Sequence, residues 1–185
     1  MRALLSIFLI LIALVSSGQD TLKSDRMKGL ESFIDARFGK YKGQKLPDFA
    51  AIKSGKPTFS NIDFENKVVF INFWFATCEP CIAEIEGLNK MYNLLKDKSN
   101  FAFVSFTFDP EETIKSSIKK YNILYKVIHL DRTECNRLNF NNGFPTNIIL
   151  DKDGYIIFFM VGGTSLSEST EMVLNLFYPK ILSLF

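Results

Sequence analysis

The chain has 185 residues, 47% of them hydrophobic, which suits one globular domain with a proper core and leaves too little for a second full domain. Its 22 basic and 20 acidic residues give a formal net charge of +2, so no electrostatic excess directs it to nucleic acid or an anionic membrane surface. With a single histidine, the chain cannot supply an H-E-x-x-H metal site, and nothing places that histidine in a serine-hydrolase triad.

At the N-terminus, Arg2 precedes an apolar stretch from Ala3 to Val15 broken only by Ser6, the pattern of a signal peptide. Ser16 and Gly18 are small residues placed for a signal peptidase, so residues 1–18 are expected to be removed, with Gln19 opening the mature chain. The protein is therefore expected in the periplasm or cell envelope, and an uncleaved stretch would anchor it through residues 3–15, although a span needs roughly 20 apolar residues. No cysteine follows the stretch directly, so a lipid anchor is not expected.

Residues 19–42 read as a helical extension: Leu22, Met27, Leu30, Phe33, Ile34 and Phe38 recur at helical spacing, and Gly39 can stop the helix. From Tyr41 to Asn66, Gly43, Pro47, Gly55 and Pro57 punctuate short apolar stretches, which predicts loops and a small hairpin. Val68 to Phe75 reads VVFINFWF, an apolar run suited to a central strand covered on both faces. A helix from Pro80 to about Leu95 follows, then a strand from Phe101 to Phe108. Asp109, Pro110 and Glu112 offer an N-cap, an N1 proline and a capping-box acid for a helix running to about Tyr121.

Lys126 to Leu130 is a third strand, and Asp131 with Glu134 repeats the capping-box spacing before a short helix containing Cys135, ended by Asn142 and Gly143. Thr146 to Leu150 and Tyr155 to Val161 form a hairpin across Asp151, Lys152, Asp153 and Gly154. A last helix starts near Ser167 and should be kinked or interrupted by Pro179. This order predicts an α/β domain with a mixed central β-sheet flanked by helices.

The chemistry lies at Cys78, Glu79, Pro80 and Cys81, a C-x-x-C that closes the apolar strand and opens the helix. Unpaired N–H groups and the helix dipole at that position favour a thiolate, the attacking species in disulfide exchange. Cys81 begins the stripe Cys81, Ile85, Leu88, Tyr92 and Leu95, so it is the shielded resolving thiol, while Cys78 is the exposed nucleophile. Counting alone would also allow zinc on Cys78, Cys81, Cys135 and His129, but zinc knuckles usually lie on loops rather than between a buried strand and a helix. Aligned on Cys78, a peroxiredoxin's P-x-x-x-[ST]-x-x-C would need proline at Ile71 and Ser or Thr at Phe75, and has neither.

Glu84 lies one turn beyond Cys81 at the edge of that stripe, where a semi-buried carboxylate would raise the thiol pKa values and carry a proton to or from Cys81. Glu79 adds negative charge opposing the dipole, which favours a reductant. Trp74 and Phe75 are core or rim aromatics near the site. His129 and Cys135 read as structural residues.

The segment FINFWFATCEPCIAEIEGLNKMY, Phe70 to Tyr92, resembles the active-site segment of TlpA/ResA-like thioredoxin-family oxidoreductases. GQKLPDFAAIKSGKPTFSNIDFENKVV, from Gly43, and GFPTNIILDKDGYI, from Gly143, are similar to the flanking parts of that fold. The resemblance implies a thioredoxin-like domain over residues 43–185, a redox-active Cys78–Cys81 disulfide, and a cis Phe144–Pro145 bond facing the cysteines. It also supports a functional glutamate at Glu84, and it aligns Asn72 with the buried aspartate of thioredoxin. Trp74, Glu79, Pro80, Phe144 and Pro145 are then the expected substrate-contacting residues. Thr77 replaces a frequent tryptophan, which predicts a less aromatic substrate surface.

The activity implied is reduction of exported protein disulfides, for example during cytochrome c maturation. Electrons would come from a membrane thiol donor, with no bound cofactor and no resident metal. The same residues run in reverse would make an oxidase or isomerase. A copper-binding assembly factor usually carries C-x-x-x-C and a well-placed histidine, and a non-catalytic binding module would show no disulfide exchange.

Overall fold

The computed structural model describes residues 24–164 and 168–185. The expected signal peptide and the expected start of the last helix at Ser167 lie outside them. Among the described residues, no helix is long and apolar enough to cross a membrane. The chain divides into two compact units between Arg37 and Phe38, ahead of the boundary at 42/43 expected from the sequence. In the first unit the described residues are helical, as part of α1 over residues 24–38, and Phe33 of the expected apolar face is exposed.

The second unit opens with a 3-10 turn, Gly39–Tyr41. Tyr41 and Phe38 belong to this unit because their rings pack on Phe159, at 4.2 and 6.1 Å between centroids. β1 (Ala50–Lys53) and β2 (Lys56–Ser60) form the small antiparallel hairpin, turned at Gly55 with φ +75°.

The main sheet contains β3 (Val68–Phe73), β4 (Phe101–Thr107), β5 (Lys126–His129), β6 (Thr146–Leu150) and β7 (Ile156–Val161), ordered β5-β4-β3-β6-β7. β3 runs parallel to β4 and antiparallel to β6, so the sheet is mixed, as the element order predicts. Every residue of β3 is buried, the reason its sequence is apolar without alternation. The β6–β7 turn is held by the Asp151 carboxylate, which accepts from the N–H groups of Asp153 and Tyr155 at 3.0 and 2.9 Å.

Helices α2 (Glu79–Leu95), α3 (Glu111–Tyr121) and α4 (Arg132–Leu138) follow β3, β4 and β5. α4 is capped as expected, Asp131 accepting from the Glu134 N–H at 2.8 Å, and it ends at Leu138, ahead of Asn142. The C-terminal segment runs as α5 (Ser169–Met172), a π-helical turn (Val173–Phe177) and α6 (Tyr178–Leu182). That interruption sits where expected: Pro179 has no N–H to give the Asn175 carbonyl, and its ring crowds that group.

α5 crosses α2 at Gly87, where an added Cβ would lie 2.8 Å from the Thr170 Cα and 3.0 Å from the Val173 Cβ. Alanine in an exposed helix is favoured over glycine by about 1 kcal/mol, yet here the overpacking should reverse the sign and destabilise by about 1–3 kcal/mol. A lower urea midpoint for Gly87→Ala with an unchanged m-value is the expected result, and an equal or higher midpoint would show that the two helices separate freely.

Candidate active site

The segment between β3 and α2 is bound at both ends. The Trp74 N–H donates to the Phe106 carbonyl at 3.1 Å, which carries the sheet ladder one residue past β3, and the Cys78 N–H closes a turn on Phe75. Between them, the Ala76 N–H donates to the Asp109 carboxylate at 2.7 Å, and the same oxygen accepts from Thr107 Oγ1 at 3.0 Å. Asp109 was expected to cap α3. Instead α3 begins at Glu111 behind Pro110, and the carboxylate is spent on the active-site loop.

Cys78 is the N-cap of α2, with Glu79 and Pro80 in its first turn, and its Sγ accepts from the Cys81 N–H at 3.3 Å. Cys78 and Cys81 are joined as a disulfide. In this oxidised state Cys78 is 6% exposed and Cys81 1%, so the expected contrast between an open and a shielded sulfur is smaller than helix position suggests.

Glu84 is fully buried on α2 rather than semi-buried at the edge of its apolar stripe. Burial pushes its carboxyl up to about 8, against the pull of hydrogen bonds from Asn147 Nδ2 at 3.1 and 3.3 Å. Asn147 Oδ1 accepts from Asn72 Nδ2 at 2.9 Å, and Asn72 Oδ1 from Ser105 Oγ at 2.9 Å. Glu84 also lies close to Pro145: a Cβ built on Gly163 would meet Glu84 Oε1 at 2.9 Å and Pro145 Cγ at 3.2 Å. The Phe144–Pro145 bond is cis, and the Pro145 carbonyl accepts from the Gly162 N–H at 2.8 Å.

Phe144 stands half-buried against Phe75 and Phe108, with ring centroids 5.4 and 5.6 Å away. Arg132 lies over Phe108 at 4.6 Å. Phe75, two residues before Thr77, thus joins Phe108 and Phe144 in a half-buried cluster drawn from three separate loops.

The Redoxin family matches this sequence over residues 41–173. The chain belongs to the Redoxin family. The redoxin is 26% identical over 139 residues to the thiol-disulfide oxidoreductase ResA of Bacillus cereus, covering 75% of this chain and 78% of that one. It is 27% identical over 148 residues to the thioredoxin-like protein YneN of Bacillus subtilis, covering 79% and 86%.

Among solved structures, it is similar to the thioredoxin domain of a thiol-disulfide oxidoreductase from Bacteroides vulgatus, with a TM-score of 0.58, 29% identity, and 72% and 98% of the chains covered. A thiol:disulfide interchange protein from Bacteroides sp. matches with a TM-score of 0.59, 27% identity, and 73% and 89% covered. The fold is thioredoxin-like, and the redoxin is a thiol-disulfide oxidoreductase of ResA type with its C-x-x-C at Cys78 and Cys81.

Of the residues singled out in its sequence, Cys78, Glu79, Pro80, Cys81 and Glu84 share the first two turns of α2, and Pro145 joins them through Gly163. Trp74, expected among the substrate-contacting residues, is 2% exposed, held in the sheet ladder, and its Nε1 is buried without a hydrogen-bond partner. His129 is exposed on β5, and among the described residues no group of His, Cys, Asp and Glu could hold a metal ion. Cys135 is buried, and burial pushes its thiol up to about 12. Asn147, Ser105 and Asp109 were missed as site residues. An asparagine inside the apolar strand TNIIL was a signal that a polar partner waits for it in the core.

Proposed function

We propose that this redoxin is an exported dithiol reductase of cell-envelope protein disulfides, with Cys78 as nucleophile, Cys81 as resolving thiol and Glu84 as the proton carrier of Cys81. The Cys78 thiolate attacks a substrate disulfide, forming a mixed disulfide and releasing one substrate thiolate. Glu84, in its ionised form, then takes the proton of Cys81 as that sulfur attacks Cys78. The Cys78–Cys81 bond forms, the mixed disulfide breaks, the second substrate thiolate leaves, and the proton passes to it. The substrate is reduced by two electrons and the protein dithiol oxidised.

An extended substrate segment pairs beside cis Pro145, with its side chains against Phe144. Cysteines of exported proteins, such as those handled in cytochrome c maturation, are the substrate class, and a membrane thiol carrier restores the dithiol.

The observation that carries the direction is the buried Glu84 carboxyl one turn from Cys81. Burial keeps that carboxyl largely protonated at neutral pH, and wherever it ionises its charge opposes a second one on Cys81; together with Glu79, which opposes the helix dipole in the first turn of α2, it penalises thiolate, weakens stabilisation of the reduced form and makes the dithiol a better donor. The Cys78–Cys81 couple is therefore expected nearer about −270 mV, the thioredoxin value, than about −120 mV, the value of a strong oxidant. Equilibration with glutathione or thioredoxin buffers measures it, and a result near the oxidant value overturns the reductase reading.

A further inference from the structure

Ser105, Asn72 and Asn147 stand directly opposite one another on β4, β3 and β6, because the register pairs Asn72 with both of the others. The next positions outward in this row are Val127 on β5 and Met160 on β7. With apolar residues at both ends, the buried side-chain amides and hydroxyl find their partners within the row and at Glu84, which closes it from α2.

The polarity of the row is uniform. Ser105 Oγ donates to Asn72 Oδ1, Asn72 Nδ2 donates to Asn147 Oδ1, and Asn147 Nδ2 donates to both Glu84 oxygens. This is the direction an ionised carboxylate requires, since it can only accept. The reverse direction also keeps the three residues of the row paired. A protonated Glu84 donates to Asn147 Oδ1, half-turns of the two amides carry donation outward, and Ser105 Oγ accepts from Asn72. The Ser105 hydroxyl then has the Asn72 carbonyl oxygen, 3.3 Å away, as its own acceptor.

We propose that Ser105, Asn72 and Asn147 form a reversible hydrogen-bond ladder that positions Glu84 in both protonation states, so that it exchanges a proton with Cys81 while every polar group of the row stays satisfied. The proposal rests on the reading of Glu84 as proton carrier; the three residues touch no substrate and are positioning residues. The titratable groups facing Glu84 are Cys81 on α2 and the buried Tyr125 phenol before β5, whose ionisation burial and the Glu84 charge both oppose. β3, β4 and β6 present only amides and a hydroxyl, the 162–163 segment is glycine, and α5 and the π-helical turn approach α2 with Thr170 and Val173 respectively.

The test is an NMR titration of the oxidised protein, in which Cys78 and Cys81 carry no ionisable proton, following the Glu84 carboxyl carbon and the side-chain amides of Asn72 and Asn147. Both amides are expected to shift at the Glu84 midpoint and to stay still in Glu84→Gln. Asn147→Leu, which removes both donors to the carboxylate, should raise that midpoint by about one to two pH units, and Asn147→Thr, which keeps one donor, should restore part of the difference. Stationary amides during the Glu84 transition in the unaltered protein, or an unmoved midpoint in a folded Asn147→Leu, overturn the ladder. The readout needs no substrate. A reduced protein inert toward disulfides would sink the functional reading alone, leaving the ladder to stand or fall on its own titration.

Discussion

Replacing Cys81 with serine is expected to turn the protein from a catalyst into a trap. Cys78 sits at the N-terminus of α2, where the unpaired N–H groups support its thiolate, so the first attack on a substrate disulfide survives the substitution. Resolution does not, because a serine hydroxyl cannot displace a disulfide sulfur, and turnover falls to the uncatalysed background after one equivalent of substrate is captured. Cys78→Ser abolishes even the capture. Non-reducing electrophoresis followed by mass spectrometry of the linked peptides reads both results. Linkage through Cys135 would mean that the nucleophile is wrongly assigned, although that thiol is buried and pushed up to about 12.

Glu84 should impose a steep pH dependence on folding. Its carboxyl titrates at 4.5 in an unperturbed chain and is pushed by burial to about 8 in the folded protein. Between these values the folded state keeps a proton that the unfolded state has lost, so stability falls as pH rises through the window. The slope is about 1.4 kcal/mol per pH unit, or roughly 5 kcal/mol across it, a large part of the stability of an ordinary domain. Below pH 4.5 both states are protonated and this contribution is flat. Glu84→Gln removes the slope. Denaturant unfolding of the oxidised proteins at pH values spanning the window should show the glutamine variant gaining on the wild type as pH rises. Parallel curves would mean that the carboxyl ionises in the folded state near its ordinary value.

The reductant expectation and the acid chemistry both trace to one side chain whose position could be read from its spacing but whose environment could not. That Glu84 falls one turn after Cys81 is a property of the helix, legible from residues adjacent in sequence. That it is wholly buried, under β6 and against Gly163 and Pro145, depends on elements far along the chain. The same distinction explains Trp74 and Asp109. An aromatic residue ahead of the C-x-x-C looked available to substrate, yet sheet pairing with Phe106 keeps it inside. Asp109 had the local grammar of an N-cap, and the loop N–H of Ala76 outcompeted it because an unpaired donor beside the active site is costly.

Local signals by themselves determined the elements and the reactive pair. The apolar run of β3, the Asp131 cap of α4, the turn from Asp151 to Gly154 and the C-x-x-C at the mouth of α2 each act within a few residues, through periodicity, capping and backbone preference. Only the tertiary structure decided what surrounds the sulfurs. The alignment of Ser105, Asn72 and Asn147 requires the register of β4 and β6 on β3, and the cluster of Phe75, Phe108 and Phe144 requires three loops to meet. Register and loop convergence are set by packing between distant segments, and a shift of a single residue in one strand would have sent Asn147 to the opposite face of the sheet.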